Sequence, residues 1–177
     1  AINYEKIAET AMSKYSPPVK SSLIIPLGVP ERKYFNQEDV DKYGWKYDPK
    51  KAVEILEKQL KAKKGSDGIY VLPDGTRLGP FTAECPYGWT DWMTSLEVVA
   101  ESARAVGIDV RTQYPDAPVW TDHRNTGNFD LLMDTPAGGY TPAHPWLRFS
   151  EAMEIKGVPP IGQVAYWNFE RYSNKKV

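Results

Sequence analysis

Aromatic and acidic side chains are concentrated in the stretch CPYGWTDWM, which runs from Cys85 to Met93. Trp89 and Trp92 flank Asp91 there, after a predicted strand and at the start of a predicted helix. A rigid indole can stack on the flat C–H face of a sugar ring, and a carboxylate can accept hydrogen bonds from vicinal hydroxyls. Alternatively, Trp92 packs into the core with Leu96 and Asp91 caps the helix. The stretch therefore predicts either a loop that holds a flat ligand or a packed helix start.

A second aromatic group lies further along the chain, in the segment PAGGYTPAHPW. This proline-rich loop carries Tyr140 and Trp146, and Gly138 and Gly139 come just before Tyr140. Because glycine has no Cβ atom, the backbone at these two positions can approach a ligand closely. All four residues are therefore candidate ligand contacts.

Other chemistries find little support in the residue pattern. His123 and His144 lack metal-ligand spacing, so neither a metal site nor a cofactor is predicted. Cys85 has no base beside it in the sequence, which argues against a nucleophile. A glycoside hydrolase needs two carboxylates that face each other across the scissile bond. No convergent pair, and hence no catalytic residue, is evident among the acids considered, which are Glu84, Asp91, Asp122 and Asp134.

The composition is that of an ordinary globular protein, and 177 residues suffice for one domain with its own core, here 1–177. The formal net charge of −1 supplies no basic field, which argues against nucleic acid as a partner. One cysteine excludes an internal disulfide and does not indicate a compartment. The residue types that stand out are tryptophan, tyrosine and proline, with six, eleven and fifteen copies, and this composition favours a binding surface.

The first half of the chain contains two predicted helices and a hairpin. Asn3 can cap a helix that ends near Tyr15, and the prolines that follow predict an irregular crossing as far as Phe35. Asp48 followed by Pro49 predicts the start of a second helix, which ends before the glycine at position 65. The letters GIYVLPDG then predict a hairpin with its turn at PDG, followed by a strand through PFTAEC.

From position 81 onward, strands and helices alternate. Strands are predicted at 81–85, in IDVRTQY and in FDLLMD, with helices at about 90–106 and 116–126 between them. This order implies a parallel sheet with helical crossovers. Ligands of such sheets meet the loops at the carboxyl ends of the strands. Each of the three loops after these strands carries aromatic residues, so we expect the loops to gather at one edge of the sheet.

Five blocks of the sequence, in this order, resemble the family 5 extracellular solute-binding proteins of bacterial ABC importers. The blocks are AINYEKIAETA, KYDPKKAVEIL, GSDGIYVLPDGTRLGPFT, VVAESARAVGIDV and GNFDLLMD. The resemblance implies an α/β chain, forming part of one lobe of a type II periplasmic-binding-protein fold. We expect a mostly parallel sheet flanked by helices, a β-hairpin and long proline-rich loops.

What such proteins do is also implied by the resemblance. Family members have two lobes that close around a ligand, present it to a membrane permease and perform no chemistry. The chain is similar to the second lobe, so we expect a fragment that lacks the first lobe, the export signal and the closing helices. The expected partners are the ligand, the ABC permease subunits and the first lobe of the same protein, and the expected location is extracytoplasmic.

The ligand class implied by the resemblance is an oligosaccharide. WTDW and PAGGYTPAHPW look like the branch that binds β-linked cello- or manno-oligosaccharides. Peptide receptors carry an aspartate where Gly139 aligns here, and its absence favours a neutral ligand, although Asp134 lies a few positions upstream. Trp167 and Asn168 belong to a segment that lines the cleft in relatives, so both are candidate contacts. Peptide binding by a receptor of the same family remains the alternative.

Overall fold

The computed structural model describes residues 1–20, 24, 31–135 and 145–174, which form two compact units. Unit 1 comprises Ala1–Pro18, Lys46–Ala117 and Asp130–Met133, and unit 2 comprises Val19–Trp45, Pro118–Phe129 and Asp134–Val177. The helices are α1 (Tyr4–Thr10), α2 (Gln37–Tyr43), α3 (Pro49–Glu54), α4 (Thr90–Ala105), α5 (Ala117–Thr126) and α6 (Pro145–Met153). The strands are β1 (Lys63–Lys64), β2 (Tyr70–Val71), β3 (Phe81–Glu84), β4 (Val110–Gln113) and β5 (Leu131–Leu132). That the whole chain is a single domain stays a prediction.

Unit 1 is built on a parallel sheet with the strand order β4-β3-β5. Phe81 pairs with Val110 at one end of β3, and Ala83 pairs with Leu131 towards the other. Helix α4 connects β3 to β4 and packs against both strands. The predicted alternation of strands and helices is therefore confirmed, although β5 is shorter than the apolar run FDLLMD suggested.

The core of unit 1 follows from the periodicity of α4 and the small residues of β3. Leu96 and Ala100, one helical turn apart, are buried against Ala83, Cys85 and Val110 of the sheet side. Alanine and cysteine leave room for the helix to approach the sheet, while the leucine fills the space between them. A second apolar cluster, formed by Leu56, Ala62 and Tyr70, lies under the hairpin region.

The hairpin differs in detail from its prediction. The PDG turn is present, because Leu72 N donates to Thr76 O at 2.8 Å and Leu78 N donates to Tyr70 O at 2.9 Å. Its returning arm is thus residues 76–78, whereas β3 joins the parallel sheet. β2 also pairs in antiparallel fashion with β1, which was not predicted.

Helix boundaries in the first half follow local capping. Asn3 accepts a hydrogen bond from Lys6 N, as predicted for a cap, but α1 ends at Thr10 rather than near Tyr15. Ser13 and Lys14 adopt positive φ angles of 47° and 66°, which end the helix early. Helix α2 was not predicted, although Asn36 caps it by accepting from two backbone N–H groups.

Polar side chains hold unit 2 together. Arg148 on α6 forms an ion pair with Glu31, and each side chain is only 1% exposed. Arg171 donates to four backbone carbonyls, at distances from 2.6 to 3.2 Å; these belong to Asn125, Pro159, Gln163 and Phe169. Arg124 lies over the rings of both Trp120 and Phe169. The residues after α6 are therefore fixed by hydrogen bonds and stacking rather than by a sheet.

Candidate functional site

The carboxyl ends of β3 and β4 lie at one edge of the sheet of unit 1. Glu84 pairs with Gln113 at this edge, since the two strands are parallel and in register. The loops that follow are joined by a hydrogen bond of 2.9 Å from Tyr87 N to Pro115 O. Two of the three predicted aromatic loops are therefore neighbours. Most of the third loop, 136–144, lies outside the described residues.

Trp89 and Trp92 form an aromatic pair on the loop after β3. Their ring centroids are 4.7 Å apart and the planes meet at 76°, an edge-to-face arrangement. Trp92 packs against the apolar core around Leu96, whereas Trp89 remains 45% exposed. Trp92 therefore fills the core role considered for it and also supports Trp89, which presents part of its indole to solvent.

Asp91 lies in the first turn of α4 and is exposed. One of its carboxylate oxygens, Oδ1, accepts a hydrogen bond of 3.0 Å from the backbone N–H of Trp92. The N-cap residue of α4 is Trp89, whose side chain makes no capping hydrogen bond. Asp91 thus interacts with the helix N-terminus, where a negative charge is stabilising. Its role towards a ligand stays a prediction.

Two titratable groups near this edge, the Cys85 thiol and the Tyr114 hydroxyl, have raised pKa values that favour their neutral forms. Burial, with a smaller effect of the Asp91 charge, raises the pKa of the Cys85 thiol to about 11. Burial and the hydrogen bond to Glu97 raise the pKa of Tyr114 to about 12. The hydroxyls of Tyr114 and Thr112 in turn hold the pKa of Glu97 below its usual value. Cys85 is therefore not a thiolate at neutral pH.

The remaining predicted contacts belong to unit 2 or lie outside the described residues. Gly138, Gly139 and Tyr140 fall in the segment 136–144, so their contribution stays a prediction. Trp146, at the start of α6, is 73% exposed. An exposed indole of this kind is available to a partner or a ligand.

Trp167 and Asn168 have well-defined surroundings in unit 2. The Trp167 Nε1 atom donates to Glu154 O at 3.1 Å, and the ring is half-buried. Asn168 is 0% exposed, and its amide donates to Glu154 O and Tyr172 O while accepting from Tyr172 N. The Asn168 side chain thus fixes the chain locally, and a direct bond from it to a ligand stays a prediction.

Two exposed tyrosines adjoin the predicted contacts and were not among them. Tyr87 precedes Trp89 by two positions, and Tyr166 precedes Trp167 directly. Tyr87 lies within the stretch CPYGWTDWM, and Tyr166 adjoins the segment that carries Trp167 and Asn168. Their proximity in sequence to the tryptophans was the signal that could have found them.

The described residues also bear on metal binding and on membrane insertion. Over the described ranges, His, Cys, Asp and Glu side chains form no group of three or more with the placement of metal ligands. Over the same ranges, none of the helices combines the length and the apolar character needed to cross a bilayer.

Comparison with known proteins identifies the family. Residues 1–152 match the family described as bacterial extracellular solute-binding proteins, family 5 Middle. A search of curated proteins found no match.

Solved structures give the same result. The mannohexaose-bound periplasmic oligopeptide-binding protein of an oligopeptide ABC transporter from Thermotoga maritima is 37% identical, with a TM-score of 0.88. The alignment covers 99% of this chain and 32% of that protein, so the chain spans about a third of the relative's length.

Two more distant structures share the fold. The oligopeptide-binding protein AppA from Bacillus subtilis, in complex with a nonapeptide, is 20% identical with a TM-score of 0.72, over 99% of this chain and 32% of that one. NikZ from Campylobacter jejuni, in complex with Ni(L-His), is 19% identical with a TM-score of 0.70, over 99% and 31%. The α/β architecture is therefore part of a type II periplasmic-binding-protein fold. The chain belongs to the bacterial extracellular solute-binding proteins of family 5.

Proposed function

We propose that the chain is part of the substrate-binding component of an ABC importer and that its ligand is a β-linked gluco- or manno-oligosaccharide. The component would capture the sugar outside the cytoplasm and deliver it to the membrane permease without chemical change. The likeness to a mannohexaose-bound receptor, at 37% identity, supports this ligand class. The peptide and nickel complexes of the more distant relatives bear on the fold alone.

The observation that carries the proposal is the half-exposed indole of Trp89. Its ring is held edge-to-face by Trp92, whose own ring is anchored against the core, so little side-chain freedom is lost when a ligand binds. A flat, fixed apolar surface beside the exposed carboxylate of Asp91 matches a pyranose, which offers a C–H face and hydroxyl donors.

The electrostatics of Asp134 also favour a neutral ligand. Asp134 is the acid considered as a partner for a peptide's amino group, since it lies a few positions before Gly139. Its Oδ2 atom is 3.3 Å from Arg124 Nη1, and the Arg124 guanidinium also lies over the rings of Trp120 and Phe169. Because Arg124 already balances this negative charge, an ammonium group gains less from approaching it.

The first experiment is a titration of the complete gene product with cello- and manno-oligosaccharides, followed by intrinsic tryptophan fluorescence. Tri-alanine serves as the peptide control. We expect a saturable change with sugar alone. Trp89→Ala should weaken sugar binding by about tenfold or more, because it removes the stacking surface. Trp45→Ala, which replaces another half-exposed indole, is the matched control and should leave the affinity unchanged.

Three outcomes would contradict the proposal in whole or in part. A response to tri-alanine without a response to either sugar would assign the chain to peptide receptors of the same family. Release of shorter sugars from the oligosaccharide would indicate a glycoside hydrolase, which is the remote alternative. Equal sugar affinity of the wild type and Trp89→Ala would show that the indole of Trp89 is not the stacking surface.

A further inference from the structure

Tyr166 and Trp167 lie between two small cavities of unit 2. The first cavity, of about 180 Å³, is lined by Ser150, Glu151, Glu154, Tyr166 and Trp167. The second, of about 220 Å³, is lined by Gly157, Val158, Pro159, Val164, Ala165, Tyr166 and Trp167. One cavity thus has carboxylates in its wall, and the other is walled by backbone and apolar side chains. The two aromatic rings are common to both.

The two rings differ in how firmly they are held. The indole of Trp167 is fixed by its hydrogen bond to Glu154 O. Gly157 lies beside this ring, so that a side chain at position 157 would place its Cβ atom 3.7 Å from Trp167 Cζ2. The residue after Trp167 is Asn168, and its buried amide is fixed by hydrogen bonds to the backbone of Tyr172. Tyr166 is 79% exposed, so its ring projects from a fixed backbone into solvent. Such an arrangement can contact a ligand with little ordering cost.

Glu151 carries an unsatisfied acceptor beside the first cavity. Its Oε2 atom is buried and receives no hydrogen bond from the part of the chain that the structure describes. A buried acceptor without a partner lowers stability, and in a native protein such a group calls for an explanation. Glu151 lies in the last turn of α6, where the helix carbonyls also favour donors. A donor group from a ligand would supply the missing bond.

We propose that the first cavity is a subsite for one sugar ring. The C–H face of the ring lies on Tyr166, a hydroxyl donates to Oε2 of Glu151, and the exposed carboxylate of Glu154 accepts from another hydroxyl. This inference rests on the proposed function, from which it takes the ligand class. It adds Tyr166, Glu151 and Glu154 as contacts, all of which belong to unit 2.

The test is calorimetric titration of the complete gene product with mannohexaose. Tyr166→Ala and Glu151→Met should each lower the affinity by about tenfold, through loss of stacking and of a charge-assisted hydrogen bond. Glu151→Met should also leave the unfolding temperature of the unliganded protein unchanged or raise it, since it removes an unsatisfied buried acceptor. A purely structural glutamate would behave in the opposite way.

The matched controls are Tyr43→Ala and Glu170→Met, which replace exposed residues of the same unit that do not line the cavity. Both should bind mannohexaose like the wild type. If Trp89→Ala weakens sugar binding while Tyr166→Ala and Glu151→Met stay within about twofold of the wild type, the subsite is wrong and the proposed function stands. A wild type that binds neither cello- nor manno-oligosaccharide overturns both. Dependence of tri-alanine binding on Glu151 would reassign the cavity to ammonium groups and overturn the sugar subsite.

Discussion

Each of the two compact units is stabilised internally by a different kind of interaction. In unit 1 the large side chains that are fully buried are mostly apolar, such as Tyr70 on β2 and Val106 at the end of α4. In unit 2 the corresponding side chains are Glu31, Arg148 and Asn168, all polar. Apolar burial is non-directional, whereas buried polar groups must meet particular partners. The comparison suggests that unit 2 depends more strongly on a few individual residues.

The largest expected effect comes from the buried ion pair of unit 2. Arg148→Met leaves the Glu31 carboxylate buried without its ion-pair partner, so it should lower the free energy of unfolding by about 3–5 kcal/mol. Replacing both residues, as Arg148→Met with Glu31→Leu, should cost much less, because no charge is then buried. Urea denaturation of the two single variants and the double variant measures the coupling. Additive losses would show that the pair is not a coupled unit.

The next effect concerns the apolar core of unit 1. Leu96→Ala leaves a cavity between α4 and the sheet, and we expect a loss of about 3 kcal/mol in the free energy of unfolding. Hydrogen exchange followed by mass spectrometry should show faster exchange in β3 and β4 in this variant, and in residues 145–171 in Arg148→Met. Identical exchange patterns in the two variants would contradict the distinction between the units.

A smaller effect is expected from the charge network of unit 1. Hydrogen bonds from Arg111 and then Arg77 hold the pKa of Asp109 below its usual value of 3.8, against the opposing effect of desolvation. Because the folded-state pKa is the lower one, the stabilisation is complete above the unfolded-state value. It is lost as the pH falls through the folded-state pKa.

The wild type should therefore lose stability below about pH 4, and Asp109→Asn should lose less over the same interval. Urea denaturation between neutral and acidic pH measures both slopes. Asp116→Asn, which alters an exposed carboxylate of the same unit, is the matched control. Equal slopes for the wild type and Asp109→Asn would contradict the role given to this network.

Sequence patterns were most informative where apolar burial and local capping decide the structure. Helix α4 was predicted at 90–106 and lies at Thr90–Ala105, because its apolar residues recur with the helical period. Asp48 caps α3 by accepting from Lys51 N, as the Asp-Pro pair indicated. The exposure of Trp89 agrees with the loop position that the strand and helix boundaries gave it.

Long-range polar contacts could not be predicted in this way. Arg148 occupies a position in α6 at which periodicity alone does not predict burial, since arginine is almost never fully buried unless paired. Its partner Glu31 lies far away in the sequence, and no local pattern connects the two. Asn168 likewise fixes its neighbours through an amide at a positive φ of 44°, which only the folded chain reveals.

The edge-to-face indoles of Trp89 and Trp92 also give the protein an optical signature. Two indoles whose centroids are 4.7 Å apart are close enough for their electronic transitions to couple, so the pair should contribute an exciton couplet to the circular dichroism spectrum. Within the pair, Trp89 is the more exposed ring. A ligand ring that stacks on it would change the coupling, so binding could be detected without an added label. Circular dichroism of this pair would therefore report any binding of a ring at Trp89, which is the contact that we propose.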